Sequence, residues 1–432
     1  MLIDFTVGNY RSFKDPVTFS MVAAKLRAKD KTLDENNVFP LTHKISLLKS
    51  CAIYGANASG KSNLIHAFRF MRWFVLNSAT GLQVDESINV DPFHLSTETE
   101  NESPFFEIVF YANERRYRYG FTVDSRRVYS EWLYHVPRVQ ETNLFFREED
   151  NVQLSGVFNE GKGLSDKTRK NALFLSVVAQ FNGAIAQAIF RWFADLQVFT
   201  FEPFFTERHL LDYTMHLAED ESLKDAIATF IKQVDVGISD FGAERKEVEV
   251  SEFFTEKLLE SAKDFVVLPD FGLIVMTYHR KYNKERSLDS EVIFDLETRE
   301  SEGTKKIFAL AGLILYVLGN GKTLIIDELD ARLHPLITEA IIRLFNSNET
   351  NPNNAQLVFT THDTNLLTNE LFRRDQIWFT EKDKYGATDL YSLAEIKNVR
   401  SDASFEKDYI SGKYGAIPFI GGLHRLIEGA DG

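Results

Sequence analysis

The stretch Gly55-Ala56-Asn57-Ala58-Ser59-Gly60-Lys61-Ser62 constrains this chain more than any other, because it fits G-x-x-x-x-G-K-[ST] without a mismatch. Glycines at 55 and 60 let the backbone curl until successive N–H groups point inward at a polyphosphate. Lys61 would reach the β- and γ-phosphates of ATP, and the Ser62 hydroxyl would ligate Mg²⁺. The flanks agree. Cys51-Ala52-Ile53-Tyr54 is a short apolar run that reads as a strand, and Leu64, Phe68, Met71 and Val75 recur on one face of a following helix. That helix sets its positive end under the phosphates, so the expected nucleotide-binding set is Gly55, Ala56, Asn57, Ala58, Ser59, Gly60, Lys61, Ser62 and Asn63.

A phosphate loop alone hydrolyses nothing, since it lacks a second metal anchor and a group to activate water. Thr323-Leu324-Ile325-Ile326-Asp327-Glu328 supplies both: an apolar run of the kind buried on both faces in parallel sheets, then two acids. Asp327 would hold Mg²⁺ through water and Glu328 would polarise the attacking water. Taken alone, such a pair is as often a solvated strand end; its pairing with the loop at 55–62 gives it chemistry.

Asp327-Glu328-Leu329-Asp330 followed by Leu333-His334-Pro335 resembles the metal-binding strand end and D-loop of ABC-type ATPases, in the branch of SMC, Rad50 and RecF proteins. Asn9-Tyr10-Arg11-Ser12-Phe13 resembles the N-terminal segment of that branch, Ser301-Glu302-Gly303-Thr304-Lys305-Lys306 its signature loop, and Thr360-Thr361-His362-Asp363 its switch histidine. The order of all these stretches is the family's order. Asn171-Ala172-Leu173-Phe174-Leu175-Ser176 and Gly412-Lys413-Tyr414-Gly415-Ala416-Ile417-Pro418 are similar to segments of a narrower group, the standalone prokaryotic ATPases related to the OLD proteins and to abortive-infection ATPases.

The resemblance implies an α/β fold: an ABC-type P-loop ATPase head with a mixed, largely parallel central sheet, an antiparallel β subdomain and a short helical insertion. It implies ATP and Mg²⁺ as cofactors and Lys61, Glu328 and His362 as the catalytic set, with His362 sensing the γ-phosphate and orienting the water. It places Arg11 near the phosphates. Ser301 and Gly303 open a helix whose free N–H groups favour an anion. In ABC-type folds the signature loop lies too far from its own phosphate loop, so that anion belongs to a second subunit. Asp330 joins the same shared site. A homodimer or higher homo-oligomer with ATP in the interface follows, controlling a separate effector, for which a nuclease is one candidate, in anti-phage defence. The alternative is a RecF- or SMC-like DNA-binding repair ATPase. Two departures stand out: Glu302 replaces a glycine of the usual Ser-Gly-Gly-Gln, and the glutamine that couples metal to the moving lobe has no counterpart, Gln83 being isolated and Asp91-Pro92-Phe93-His94 filling its region.

At 432 residues the chain exceeds what one core organises. The expected division is 1–165 as an N-terminal lobe, 166–264 as a helical insertion, 265–390 as a C-terminal lobe and 391–432 as a tail that packs back or docks a partner. Gly8-Asn9 sits in an early hairpin, 25–49 form a loop over the nucleotide edge, and strands run over 105–111, 116–123 and 128–136. The segment 168–192 is helical, and a second helical region covers 206–262 without the unbroken heptads of a long coiled coil. Ile307, Leu310, Ala311, Ile314 and Leu318 draw one face of a helix behind the signature loop.

Composition excludes several classes. Hydrophobic residues at 44% exclude wholesale disorder, and the apolar stretch 310–319 is half the length of a membrane span, so no membrane partner is expected. The start Met1-Leu2-Ile3-Asp4-Phe5-Thr6-Val7 lacks a signal-peptide pattern and the single Cys51 forms no internal disulfide, which together imply a cytoplasmic protein. A net charge of −14 argues against indiscriminate nucleic-acid coating. Nucleic acid still remains open through Arg115, Arg116, Arg118, Arg126, Arg127, Arg138 and Arg147, which are as readily the solvated face of a β lobe. Asp383 and Asp389 flank a turn and lack the spacing of a nuclease metal pair.

Overall fold

The strand Ser50–Tyr54 is buried at every residue, and its alternation feeds two different cores. Cys51 and Ile53 face a core shared with Leu64, Phe68 and Met71 of the helix Lys61–Asn77; Ala52 and Tyr54 face a second core shared with Ile307, Leu310 and Ile314 of the helix Glu302–Asn320. A period of two in a strand sends successive side chains to opposite faces, so this one strand forms part of the floor of both layers. The computed structural model that shows this describes residues 1–137, 140–200, 207–234, 236–246 and 272–418.

Around that strand lies a six-stranded sheet in the order Gln197–Phe199, Thr323–Ile326, Gln356–Thr360, Ser50–Tyr54, Ile377–Lys382, Thr388–Ser392. Every neighbouring pair is parallel except the last hairpin. The C-terminal ends of its middle strands are thereby gathered at one edge, where ligands collect in open α/β sheets. The fold is the expected α/β class with a mixed central sheet.

A second, seven-stranded antiparallel sheet covers the other side of the helix Lys61–Asn77. It runs Asn151–Leu154, Thr142–Glu148, Val128–Val136, Arg115–Val123, Phe105–Ala112, Leu2–Gly8, Val17–Ser20. Phe5 stacks on Phe68 with ring centroids 3.8 Å apart, and Phe106 lies 4.9 Å from Phe70, so aromatic faces lock sheet to helix. Asn113 and Glu114 both take positive φ, +47° and +60°, the geometry of a tight two-residue hairpin. The fully buried Gln356 side chain joins the two sheets: it accepts from the Leu2 amide at 2.6 Å and donates to the Leu2 carbonyl at 3.0 Å.

Two expectations are corrected. Residues 25–49 are not a loop over the nucleotide edge. They contain a helix, Lys31–Asn36, capped by the Asp30 side chain, and a small hairpin of Val38–Pro40 with Ser46–Leu48. Asn37 donates to the Leu371 carbonyl and to Gln376, and Asp34 pairs with Arg373, which places the segment at the opposite end of the central sheet. A polar helix this short offers no period to detect.

The segment 166–264 is not one helical insertion. The helices Phe174–Gln180 and Ala184–Asp195 sit in the first core with Phe110 4.1 Å from Trp192, and Gln197–Phe199 is an edge strand of the central sheet. Glu207–Leu217 and Glu221–Gln233 belong to the second core, where Thr214 donates to the Ala309 carbonyl at 2.6 Å. Asp240–Lys246 is a strand paired with Gly272–Tyr282, itself paired with Leu288–Asp295. Residues 201–206 and 247–264 of that expectation lie outside the described residues.

The tail, as far as residue 418, packs back on the head. Tyr409, Tyr414 and Ala416 enter the second core, and Tyr391 donates to the Tyr414 carbonyl at 2.8 Å. The rest of the expected 391–432 tail, residues 419–432, lies outside the described residues.

Glu131 is the most demanding residue of the antiparallel sheet. It is fully buried, accepts from the amides of Phe174 at 2.6 Å and Leu175 at 2.9 Å and from the Tyr119 hydroxyl at 3.0 Å, and faces the buried Arg147 guanidinium at 3.6 Å. Glu131→Ala leaves that guanidinium uncompensated, with an expected loss of about 3–5 kcal/mol that chemical denaturation would register.

Candidate nucleotide site

The loop after Ser50–Tyr54 is shaped by crowding as much as by torsion. Gly55 has φ +156° and Gly60 +115°; a Cβ at Gly55 would come within 2.5 Å of Ser59 Oγ, and one at Gly60 within 2.5 Å of Thr388 Oγ1. Ala58 takes φ +62° without being glycine, a strained conformation of the kind kept at functional loops. Two hydroxyls from the neighbouring hairpin fix the curl. Thr380 Oγ1 and Ser59 Oγ are 2.6 Å apart, and Thr388 Oγ1 donates to the Ser59 carbonyl at 2.8 Å.

Gly60 caps the helix Lys61–Asn77 without any side-chain hydrogen bond, so its first-turn N–H groups stay open toward an anion. Lys61 is 5% exposed and its ammonium donates to the Gly55 carbonyl at 2.9 Å and to Ala56 at 3.0 Å, closing the loop on itself. Burial pulls its pKa down, and the charges of Asp327, Glu328 and Asp330 oppose that.

Asp327 ends the strand Thr323–Ile326 and is 8% exposed. One hydroxyl orients both acids: Thr360 Oγ1 donates to Asp327 Oδ1 at 2.5 Å and accepts from the Glu328 amide at 2.7 Å. Glu328 itself sits at φ +46°, with its side chain exposed. Lys306 holds the turn from below, donating to the carbonyls of Glu328 at 2.9 Å and Ala331 at 2.8 Å. The His362 amide donates to Asp330 Oδ2 at 3.3 Å. Burial and then the Lys61 charge push the imidazole pKa down, which leaves it neutral near pH 7.

A cavity of about 810 Å³ unites most of the expected residues: Asn57, Ala58, Ser59, Gly60, Lys61, Ser62, Asn63, Glu328 and His362 line it, with Lys382. Gly55 and Ala56 line the adjoining cavity of about 910 Å³, beside His362 and the tail. Asp327 stands next to Glu328 and acts on Lys61 through its charge. The open helix start, the lysine and the volume fit a nucleoside triphosphate. The Ser62 hydroxyl and the Asp327 carboxylate are the hard oxygen donors that suit Mg²⁺.

Arg11 is not on the wall of either cavity. Its guanidinium lies 3.9 Å from Asp91 and over the Tyr10 ring, and its neighbour Ser12 makes the contact instead, its hydroxyl accepting from Asn63 Nδ2 at 2.8 Å and lying 2.8 Å from Thr388 Oγ1. Asn9 organises the stretch that includes Asp91-Pro92-Phe93-His94, accepting from the Phe93 amide at 3.0 Å. The Gln83 side chain is exposed. Ser301 caps its helix, accepting from the Thr304 amide at 3.1 Å, and a Cβ at Gly303 would lie 2.8 Å from the Arg332 carbonyl. Ser301 and Gly303 line neither cavity of their own chain. Glu302 turns to Lys305 at 2.8 Å and Arg332 at 3.0 Å.

The arginines of the antiparallel sheet are largely paired: Arg118 with Glu107 and Glu141, Arg127 with Glu149 and Asp150, Arg126 with Asp124, Arg147 with Glu131. Arg138 lies outside the described residues. Asp383 accepts from the amides of Tyr385 and Ala387 within its turn. His334 caps the helix Pro335–Asn346. No helix among the described residues is long and apolar enough to cross a membrane.

Residues 51–368 match the family described as "AAA domain, putative AbiEii toxin, Type IV TA system". No curated protein matches the chain in sequence. Among solved structures, the SMC head domain from Thermotoga maritima is similar with a TM-score of 0.41 and 15% identity, over 90% of this chain and 98% of that one.

Thr360, Thr380, Thr388, Ser12 and Lys382 are not among the site residues expected from sequence, where Thr360 and Ser12 enter only as members of the stretches around His362 and Arg11. Thr360→Val keeps the shape and removes the hydroxyl that orients Asp327. Magnesium-dependent nucleotide affinity is expected to fall by about tenfold, the usual scale for losing a metal ligand's supporting bond, and Thr360→Ser should restore it in calorimetric titrations.

Proposed function

The chain belongs to that AAA-domain family, and from this premise we propose that it binds and hydrolyses ATP with Mg²⁺. We propose further that ATP holds two copies head to tail, and that the association controls a separate effector, probed first among nucleases, in anti-phage defence in the cytoplasm. The observation that carries this reading is the convergence of Lys61, Ser62, Glu328 and His362 on one cavity, at the ends of adjacent parallel strands. The family description, whose words are "putative AbiEii toxin, Type IV TA system", supports a setting with a second gene product.

In this reading the loop amides of 57–61 and the Lys61 ammonium hold the β- and γ-phosphates. Magnesium, held by Ser62 and Asp327, would neutralise charge on the phosphate oxygens. Glu328 accepts the proton of the attacking water from its exposed position on the cavity wall. His362, kept neutral, hydrogen-bonds at the γ-phosphate. Ser301 and Gly303, turned away from their own cavity, offer a helix start to the triphosphate of a second copy, and Asp330 lies in the same contact.

Glu328→Gln is expected to lower turnover about a hundredfold or more, the scale of a lost general base, and to accumulate an ATP-bound dimer or higher assembly in light scattering. Lys61→Ala should abolish both ATP binding and that assembly. Assembly without nucleotide would defeat the head-to-tail model. A pull-down with the Glu328→Gln protein is expected to retain the neighbouring gene product; salt-sensitive capture of DNA alone would favour the repair reading instead.

A further inference from the structure

The cavity contains a cation that the reaction outlined above leaves unused. Lys382 ends the strand Ile377–Lys382, which runs parallel to the phosphate-loop strand with Trp378 opposite Ile53 and Phe379 opposite Tyr54. Alternate residues of a strand share a face, so Thr380 and Lys382 point one way and Glu381 the other. The bonds confirm the alternation. Thr380 meets Ser59 Oγ at 2.6 Å, whereas Glu381 accepts from the Tyr391 hydroxyl at 3.0 Å on the tail side, where a Cβ on Gly415 would come within 2.6 Å of it.

The position of Lys382 is fixed from a second direction. Its cross-strand partner is Thr388, whose hydroxyl donates to the Ser59 carbonyl at 2.8 Å. Both threonines that hold the phosphate loop therefore flank this lysine, and its side chain lines the 810 Å³ cavity as well as the 910 Å³ one. Among the described residues no carboxylate pairs with it. Its nearest acids in sequence are committed elsewhere: Glu381 to Tyr391, and Asp383 to the amides of its own turn. An exposed ammonium on a flexible stem, held at the rim of an anion site in a chain of net charge −14, is suited to a phosphate as a mobile point charge.

We infer that Lys382 is a nucleotide-binding residue, a second cation that closes on the triphosphate from the strand beside the phosphate loop. This rests on the reading of the cavity as an ATP site, and the test separates the two. ATP affinity is measured by calorimetry in the Glu328→Gln background, which blocks turnover, for Lys382→Ala, Lys382→Arg and Lys61→Ala, together with the melting temperature of each without nucleotide.

Lys382→Ala is expected to weaken ATP by about tenfold, the scale of a lost charged hydrogen bond, and to flatten the dependence of affinity on salt. Lys382→Arg should retain most of the affinity. The nucleotide-free melting temperature should not move, because the side chain anchors nothing among the described residues. If Lys382→Ala binds ATP like the parent while Lys61→Ala has lost it, the inference is wrong and the ATP site stands. If the parent itself binds no ATP, the site reading fails and the inference with it.

Discussion

The burial of Ser50–Tyr54 on both faces is the constraint from which the rest follows. A strand of this length can be dry on both sides only if each face is covered by its own apolar layer, and here the covers are the helices that begin at Lys61 and Glu302. Both helices start at the same edge of the sheet as functional loops. The first start carries the phosphate loop and the second carries Ser301–Gly303. Sheet packing and anion chemistry are thus one arrangement, since the helices that bury the strand also aim their open N-termini outward.

Hydroxyl groups convert that scaffold into a fixed site. Thr360 sets the two acids, while Thr380 and Thr388 hold Ser59 and, through Ser12, the start of the helix at Asn63. Each is a short side chain on a rigid strand, which positions groups more closely than a loop can. Two strained residues lie in the same place. Ala58 and Glu328, both with left-handed backbone, flank the cavity, and both are held by neighbouring bonds: the first by the Ser59 contacts, the second by Thr360 and Lys306. Strained residues persist only where surroundings over-determine them, and here the surroundings are the threonines.

Legibility in the sequence followed from how local each signal is. The phosphate loop, the acidic strand end and the helix behind Ser301 depend on neighbours within a few residues, and all three stand where their patterns placed them. The break between the strands expected at 105–111 and 116–123 is equally local. The threonines were hidden because each acts on a partner far along the chain, Thr388 on Ser59 and on Ser12, with nothing in the flanking pattern to mark it. Arg11 stands off both cavities for the complementary reason. The five-residue motif was correct as a unit, but which member touches the loop depends on the turn at Asn9–Phe13, where Arg11 with φ +48° swings toward Asp91 and Ser12 turns inward. The supposed insertion was misjudged because its helices carry apolar faces matched to two separate cores.

Glu302 remains the sharpest departure from a plain anion-binding helix start, and its surroundings show how the charge can be tolerated. A carboxylate in the first turn is favourable to the helix itself, since it meets the positive end of the dipole, but it would repel a phosphate approaching the same amides. Lys305 and Arg332 hold the Glu302 carboxyl below its usual range, Lys305 foremost, so it stays ionised, and they draw it sideways along the helix. Ser301 caps through Thr304, a bond that does not involve the acid. The close approach of Gly303 to the Arg332 backbone then ties this start to the turn that follows Asp330. Any anion arriving at Ser301 therefore meets Glu302 already paired with two cations, and this helix start is joined to the cavity wall at Glu328 through Lys306 and the residues 328–332.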